Sequence, residues 1–378
     1  MQLVQLRLMD RRLRFPSLPF DISIPAIAAV IILLGLSTIQ STIVAGADSN
    51  PILNSSLISV QVLALTFGAL IFFLLQFIRS TYIPYAAIPI YVATIALLVL
   101  VLFVGETTRG SVRWISIGSV NLQPSSISVL FLIVSFSGFF SYFNERINNL
   151  IPLVLMLIAV AVPTALIAIE PDLGSALVLL FVFACMLHMS PLRMSRLAVL
   201  YGIILVGAPL LWGSLAQYQQ DRLTTFMNPN ADPLGSGYNV RQAITAVGSG
   251  HVFGRGWGQG TQSHLQFLPE QHTDFIFATY AEEQGFVGVC VLLLLYGGLF
   301  YRISIALRRS DGFFNHIVIC GILSWFFIHI GVNIGMNVGL APITGIPLPF
   351  MSYGGTIMVT SIIAIGLVVT LSQHQHPR

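Results

Sequence analysis

Three side chains suited to acid–base chemistry stand just ahead of a long apolar run. Glu270, His272 and Asp274 are separated by single residues in PEQHTDFIFATYAEE, residues 269–283. Asp274 is predicted to lie in the first turn of a helix, where the exposed N–H groups and the helix dipole favour a carboxylate. It is therefore the best candidate for a carboxylate base. Helix capping by Thr273 or Asp274 is the alternative, because these residue types often fill that role.

Two more acids, Glu282 and Glu283, follow inside the same apolar run. Each helical residue advances by about 100°, which places Glu282 about a quarter turn and Glu283 about half a turn from Asp274. The two glutamates therefore cannot both point into one site with Asp274. At least one of them must pair with a polar neighbour.

A second acidic pair and a basic, aromatic segment complete the candidate residues. Glu170 and Asp172 lie in IEPDLGSAL, where Asp172 is either functional or the N-cap of the next helix. Arg109, Arg113 and Trp114 combine cationic and aromatic groups suited to an anionic, partly apolar ligand, although an interfacial tryptophan also anchors helices by itself. Taken together, these residues predict an outward-facing polar cavity with a carboxylate base and arginines for an anionic substrate.

The elements that must position these residues are membrane helices. Hydrophobic residues make up 56% of the chain and charged residues 8%, against about 25% charged in soluble domains. Apolar runs long enough to cross a bilayer recur along the whole length, which predicts an all-α integral membrane protein with about ten transmembrane helices. The predicted helices are 22–46, 57–78, 83–105, 125–143, 150–169, 174–189, 197–215, 275–301, 315–340 and 350–371. Residues 1–378 are predicted to form one polytopic domain.

The distribution of basic residues predicts the orientation, because basic residues remain on the cytoplasmic side. Lysine is absent, and twelve of the 17 arginines fall on one side of the helix count. This places both termini in the cytoplasm and leaves Arg109, Arg113, Arg222, Arg241 and Arg255 outside. The net charge of +3 follows from this asymmetry and gives no reason to invoke nucleic acid.

Three connections between the helices are not ordinary short turns. Residues 106–123 and 216–273 form outside loops, the second a large extracytoplasmic loop between helices 7 and 8 whose aromatic residues are expected to anchor it to the bundle. Residues 342–355 contain three prolines and three glycines, which predicts backbone that turns back at or below the membrane surface. An ordinary turn at the bundle edge is the alternative.

The ninth predicted helix carries small and polar residues at regular spacing. Gly331, Gly335 and Gly339 are four apart and predict a ridge that lets another helix approach closely. Asn333 and Asn337 lie on another face of that helix. There the amides are expected to hydrogen-bond across helices, a packing role favoured over a ligand role.

Common enzyme motifs are absent from the sequence. It contains no Walker A sequence, no Gly-x-Ser-x-Gly elbow and no His-Glu-x-x-His helix. His272 and Asp274 would offer a metal two ligands, too few for a closed site. The three cysteines have no metal or redox spacing.

Several long motifs resemble the SEDS family (RodA/FtsW/SpoVE), in its RodA-like form, over almost the whole chain. The matching segments are GSVRWISIG, EPDLGSAL, YQQDRLTTFMNPNADPLGSGYNVRQAITAVGSG, GRGWGQGTQSHLQFLPEQHTDFIFATYAEEQGFVG and NIGMNVGLAPITGIPLPFMSYGG. The resemblance implies a SEDS-type bundle in the bacterial plasma membrane. It implies a peptidoglycan glycosyltransferase that polymerises lipid II for cell elongation and works with a class B penicillin-binding protein.

The resemblance also implies roles for individual residues. The family's essential aspartate matches Asp274, and the tryptophan of its RWI segment matches Trp114. Arg109 and Arg113, or a divalent cation such as Mg²⁺ or Mn²⁺, would neutralise the diphosphate leaving group. No metal ligand is assigned. The remaining predicted substrate-binding residues are Asp172, Gln262, Glu270, His272 and Ser352.

The chain departs from the family pattern after Gln123-Pro124-Ser125. Ser126 and Val129 stand where relatives have a glutamate and a lysine, and Ala243 where a serine is common. Loss of both members of an ion pair leaves no charge buried and unpaired, so the fold is expected to tolerate it. A lipid II flippase and a non-catalytic scaffold for a penicillin-binding protein are the alternative functions.

Overall fold

The computed structural model describes residues 21–45, 51–108, 111–117, 120–210, 213, 216–228, 236–264, 268 and 270–373. Within these ranges the chain is mostly α-helical. The helices are α1 (Ser23–Ala45), α2 (Pro51–Phe77), α3 (Ala87–Val104), α4 (Pro124–Phe143), α5 (Leu150–Ile169), α6 (Leu173–Met189), α7 (Met194–Leu210), α8 (Gln217–Met227), α9 (Ser236–Ser249), α10 (Thr261–His264), α11 (Ile276–Arg309), α12 (Phe313–Asn337) and α13 (Gly355–Ser372). Short 3₁₀ turns, Ser80–Ala86 and Asn144–Arg146, precede α3 and follow α4.

The predicted membrane helices are present. Among the described residues, eight spans are long and apolar enough to cross a membrane, and α6 and the residues Met194–Gly207 of α7 are shorter apolar helices. The all-α, multi-pass prediction is therefore confirmed, and the bounds of α5 coincide with those predicted. The exact number of spans depends on how the two shorter helices are counted.

The outer surface of the bundle is apolar. Side chains such as Phe67, Phe73 and Phe103 are exposed, whereas α12 and α13 are the most buried of the spans. In water such a surface would drive association, but lipid solvates it, and the helices satisfy their own backbone hydrogen bonds. The chain is therefore a multi-pass membrane protein with α12 and α13 at its centre.

Polar contacts mark the two ends of the bundle. Arg302 of α11 donates to Asp21, which precedes α1, over 2.5 Å. At the other end of α1, Thr42 lies 3.5 Å from the Nδ1 atom of His272. At a rise of 1.5 Å per residue these contacts are about 30 Å apart, the thickness of a bilayer's hydrocarbon core.

The first predicted outside loop contains a small sheet that the sequence did not indicate. Strands β1 (Glu106–Thr108), β2 (Ser111–Ile117) and β3 (Val120–Leu122) pair antiparallel in that order. The sheet leads into α4, and the backbone N–H of Gln123 donates to Thr356 Oγ1 at the start of α13, over 3.0 Å. The loop is thereby fastened to a central helix.

Residues 342–354 form irregular backbone, as predicted, and its central part lies inside the protein, while Gly355 begins α13. From Ile346 to Ser352 nearly every residue is buried, and side chains of neighbouring helices donate to its carbonyl groups. These bonds join Asn333 to Ile346 (2.8 Å), His329 to Pro347 (3.2 Å) and Tyr296 to Pro349 (2.7 Å). Non-helical backbone is tolerated at this depth because its polar groups have partners. We call residues 342–354 the buried segment.

The predicted glycine ridge on α12 is wrong at two of its three positions. No atom of the described residues lies within 4 Å of a Cβ placed on Gly331, and the space beside Gly335 is filled by Ala341, whereas a Cβ on Gly339 would lie 2.8 Å from Ile244 of α9. Gly339 has φ of +77° and ends the helix: the N–H of Leu340 donates to the Gly335 carbonyl over 2.7 Å, as in a Schellman motif. The regular spacing therefore reflects a helix end and a close turn.

The segment 216–273 contains helices α8, α9 and α10, with α9 packed against α11 and α12. Its glycine-rich part, residues 250–260, runs along α11 where that helix is interrupted at Gly285. There the N–H of Phe286 donates to the His251 carbonyl over 2.9 Å. Trp257 donates from Nε1 to the Ser37 carbonyl of α1, as expected for an aromatic anchor.

Candidate functional site

Asp274 lies in a tight turn, residues 270–275, just before α11. The helix begins at Ile276, so the prediction that Asp274 occupies its first turn was wrong by two residues. The N-cap residue is Phe275, whose side chain makes no capping hydrogen bond, so neither Thr273 nor Asp274 occupies the N-cap position. Asp274 lies one residue before the N-cap, near the positive end of the helix dipole.

The backbone carbonyl of Asp274 is held by two amides of α12. Asn333 and Asn337 donate from Nδ2 to this oxygen over 3.0 and 3.1 Å. Both asparagines are fully buried, and their amides bond between helices, as the sequence predicted. The sequence predicted a packing role for both asparagines and gave no indication of their contact with Asp274.

The two residues before Asp274 are held by the buried segment. The His272 carbonyl accepts from the N–H of Tyr353 over 2.8 Å. Ser352 donates from Oγ to the Thr273 carbonyl over 2.7 Å and accepts from a backbone N–H of its own segment. The hydroxyl of Ser352 is therefore used inside the protein, and its contact with substrate stays a prediction.

The carboxylate of Asp274 remains accessible. The side chain is half-buried, and its Oδ2 atom would lie 3.6 Å from a Cβ placed on Gly345, a residue that is itself exposed. Gly345 has φ of +71°, so it supplies both a left-handed turn and a bare backbone beside the acid. Exposed Gly345 therefore borders the Asp274 carboxylate.

His272 and Glu270, the other ionisable groups of the turn, lie beside Asp274 in sequence and face different partners. His272 Nδ1 faces Thr42, and burial lowers the pKa of this imidazole, with the nearby Glu270 charge opposing part of the shift. Burial therefore favours the neutral form of His272. The Glu270 carboxylate accepts from Thr273 Oγ1 over 3.3 Å and helps to close the turn.

A resident metal has no ligand cluster in the described part of the chain. No group of three or more His, Cys, Asp or Glu side chains there is placed to hold a metal ion. Two ligands such as His272 and Asp274 do not make a closed protein site. The predicted divalent cation stays a prediction.

Asp172 is the N-cap of α6. Its Oδ1 atom accepts from the N–H of Ser175, and its Oδ2 atom accepts from the Ser175 hydroxyl. Gln123 and Ser125 at the start of α4 also donate to Oδ2, over 3.0 and 2.8 Å. Of the two interpretations of this buried aspartate, the geometry favours the cap, with the added role of joining α4 to α6.

Gln262 and the glutamates of α11 form a second polar cluster. Glu282 Oε1 accepts from the N–H of Gln262 over 2.9 Å and from Ser249 Oγ over 3.2 Å. Glu283 Oε1 accepts from the N–H of Gly258 over 3.3 Å. Both glutamates therefore pair with polar groups of residues 216–273, Glu282 on either side of the glycine-rich part and Glu283 within it, whereas the sequence required a polar partner for at least one of them.

The predicted anion-binding residues are only partly described. Arg109 lies outside the described residues, and Arg113 is described only as backbone of β2. Trp114 is half-buried on the same strand. Val129 is buried, and the half-buried Ser126 precedes it by one turn of α4. Their roles in substrate binding remain predictions.

The fold and site define a class of protein: a multi-pass helical membrane protein whose polar groups converge on an accessible carboxylate at one end of the bundle. The family model described as "Cell cycle protein", which covers FtsW, RodA and SpoVE, matches residues 21–377. The chain belongs to this family, and the resemblance in the sequence is confirmed.

Known proteins resemble the chain over most of its length. It is 36% identical over 289 residues to "Peptidoglycan glycosyltransferase MrdB" of Escherichia coli (strain K12), covering 76% of this chain and 77% of that protein. A solved structure described as "Structural coordination of polymerization and crosslinking by a peptidoglycan synthase complex" aligns with TM-score 0.80 and 28% identity, over 94% of this chain and 99% of that one. The crystal structure of Thermus thermophilus Rod shape determining protein RodA aligns with TM-score 0.69 and 26% identity, over 96% and 100%.

Proposed function

We propose that this protein is a peptidoglycan glycosyltransferase that polymerises lipid II during cell elongation, with Asp274 as its general base. Relatives named as peptidoglycan glycosyltransferases support the activity. The observation that carries the assignment to Asp274 is its geometry: a half-buried carboxylate beside exposed Gly345, on a turn whose backbone is fixed by other elements.

The reaction requires one proton acceptor and a neutralised leaving group. The 4-hydroxyl of one lipid-linked sugar transfers its proton to Asp274 while its oxygen bonds to C1 of the other sugar. The bond from C1 to the diphosphate breaks with its electron pair, and undecaprenyl diphosphate leaves. Diphosphate needs no protonation by a second acid once its charge is neutralised, unlike the leaving group in glycoside hydrolysis. Arg109 and Arg113, or a divalent cation, would supply that neutralisation.

We place the site on the outer face of the bacterial inner membrane, with both termini in the cytoplasm. Support comes from the arginine distribution and from the two ends of α1. The end at Asp21 lies beside Arg302, and the end at Thr42 lies beside His272. A class B penicillin-binding protein is the proposed partner. The structural likeness to a peptidoglycan synthase complex supports that partnership.

A non-catalytic scaffold is the second candidate. Val129 is buried where relatives carry a lysine, so the ion pair of the family is absent from α4. A scaffold, however, has no use for an accessible acid at a fixed turn. A flippase is less well supported, because transporters place ionisable residues near the bilayer midplane and Asp274 lies at one end of the bundle.

The test is polymerisation of lipid II by the purified protein in liposomes, with and without its penicillin-binding partner. Asp274→Asn keeps the shape of the side chain but removes the base, and is expected to slow polymerisation by about 10²- to 10⁴-fold. Asp311→Asn is the matched control, because Asp311 is exposed just before α12, at its end away from the site, and its replacement should leave the rate unchanged.

Each alternative has its own result. Equal polymer from the original protein and Asp274→Asn would remove Asp274 from the mechanism. Lipid transfer across the membrane without polymer would favour the flippase. No polymer under any condition, with the partner's crosslinking still stimulated, would favour the scaffold.

A further inference from the structure

The backbone on both sides of Asp274 is fixed by side chains from other parts of the chain. The peptide plane before Asp274 contains the Thr273 carbonyl, which accepts from Ser352 Oγ over 2.7 Å. The plane after it contains the Asp274 carbonyl, which accepts from Asn333 and Asn337. Because a peptide group is planar and includes both flanking Cα atoms, fixing two successive planes fixes the direction of the bond from Cα to Cβ between them.

We infer that Asn333 and Asn337 are positioning residues for Asp274, which set the direction in which its carboxylate meets the acceptor hydroxyl. This inference rests on the proposed role of Asp274 as the base. The asparagines act through the backbone and do not touch substrate, since both are fully buried.

Two donors on one carbonyl fix it more closely than one. A carbonyl oxygen has two lone pairs, and two N–H groups from residues one helical turn apart constrain both its position and its plane. The Asn333 amide also donates to the Ile346 carbonyl over 2.8 Å. The same side chain thereby ties the turn of Asp274 to the buried segment, whose Gly345 borders the carboxylate.

A packing role alone does not explain Asn337. In the described part of the chain, no donor reaches its buried side-chain oxygen Oδ1. Such an unsatisfied acceptor costs stability, and a leucine of similar shape would avoid that cost. The amide N–H, with its bonds to the carbonyls of Asp274 and Asn333, is the feature that an apolar residue cannot replace.

The experiment combines Asn333→Ala, Asn337→Ala, the double variant and Asn337→Leu. We expect the double variant to lose about 100-fold in kcat with KM nearly unchanged, because a displacement of about 1 Å in a catalytic group has an effect of this size. Each single variant should lose less, since one amide still holds the carbonyl. Asn337→Leu should keep the unfolding temperature of the original protein and still lose kcat.

Asn148→Ala is the matched control. Asn148 also donates an amide N–H to a backbone carbonyl, that of Pro191, over 2.9 Å, but it lies in the connection between α4 and α5. Its replacement should leave kcat and KM unchanged. A loss of activity in Asn337→Leu that follows a matching loss of thermal stability would overturn the positioning role.

Hydrogen–deuterium exchange supplies a readout independent of activity. In the double variant, backbone amides of residues 272–276 should exchange faster than in the original protein, whereas Asn148→Ala should not change them. Unchanged exchange, or a kcat of the double variant close to the original, would overturn the inference. If the original protein makes no polymer while amide exchange in the double variant increases as expected, the proposed function fails, but the hold of Asn333 and Asn337 on the backbone of Asp274 is confirmed.

Discussion

Gly285 interrupts α11 at the point where the glycine-rich part of 216–273 crosses it. Its φ of +66° and ψ of −167° fall in a region occupied almost only by glycine. A Cβ at this position would lie 2.1 Å from the Gly254 nitrogen and 2.8 Å from the Val252 carbonyl oxygen. These are backbone atoms, so no rotamer change relieves the overlap, and Gly285→Ala must displace one of the two segments.

The cost can be estimated from the contacts that are lost. The backbone conformation costs an alanine about 1–3 kcal/mol. Displacement of the crossing segment breaks the bonds from the N–H groups of Phe286 and Val287 to the carbonyls of His251 and Val252. At about 1 kcal/mol each, these bring the expected destabilisation of Gly285→Ala to about 3–5 kcal/mol.

Gly297→Ala is the matched control on the same helix. Gly297 is exposed, and no atom of the residues that the structure describes lies within 4 Å of the position of its Cβ. Alanine should therefore stabilise the helix there by about 0.5–1 kcal/mol. Unfolding of both variants in mixed detergent, titrated with SDS and followed by circular dichroism, measures the two free energies. If Gly285→Ala were as stable as Gly297→Ala, the steric reasoning about the crossing would be refuted.

Three further predictions concern charged and capping groups. Burial lowers the pKa of His272, so the stability that the neutral imidazole contributes is complete above about pH 6.5 and is lost as the pH falls through the folded-state pKa. His272→Gln should therefore reduce the pH dependence of the unfolding temperature between pH 7 and 5. Burial raises the pKa of Asp21, but hydrogen bonds from Ser23 and from Arg302 outweigh this effect and lower the pKa overall. Arg302→Gln should therefore reduce the free energy of unfolding by about 1 kcal/mol near pH 7, and by less below about pH 4, where acid protonates Asp21. Asp172→Ala removes a cap and a shared acceptor, and should cost about 2–4 kcal/mol in the same SDS titration, part of which Asp172→Asn recovers.

The sequence by itself determined the membrane helices and singled out Asp274 as the candidate acid. Each span must satisfy its own backbone hydrogen bonds in lipid, so an apolar run of sufficient length specifies a helix without reference to distant residues. For this reason α5 has the predicted bounds and α6 begins within one residue of its prediction. Asp274 stood out because a charge beside an apolar run is rare, and the cap at Asp172 follows from local chemistry.

Only the tertiary structure decided how Asp274 is held and what surrounds it. Asn333 and Asn337 are 59 and 63 residues away along the chain, and a hydrogen bond of about 3 Å requires placement within a few tenths of an ångström. The glycine spacing on α12 could not distinguish a packing ridge from a helix end at Gly339, because both need a small residue at the same interval. The residue types are local information, whereas the direction of the carboxylate depends on backbone contacts between helices that no short stretch of sequence encodes.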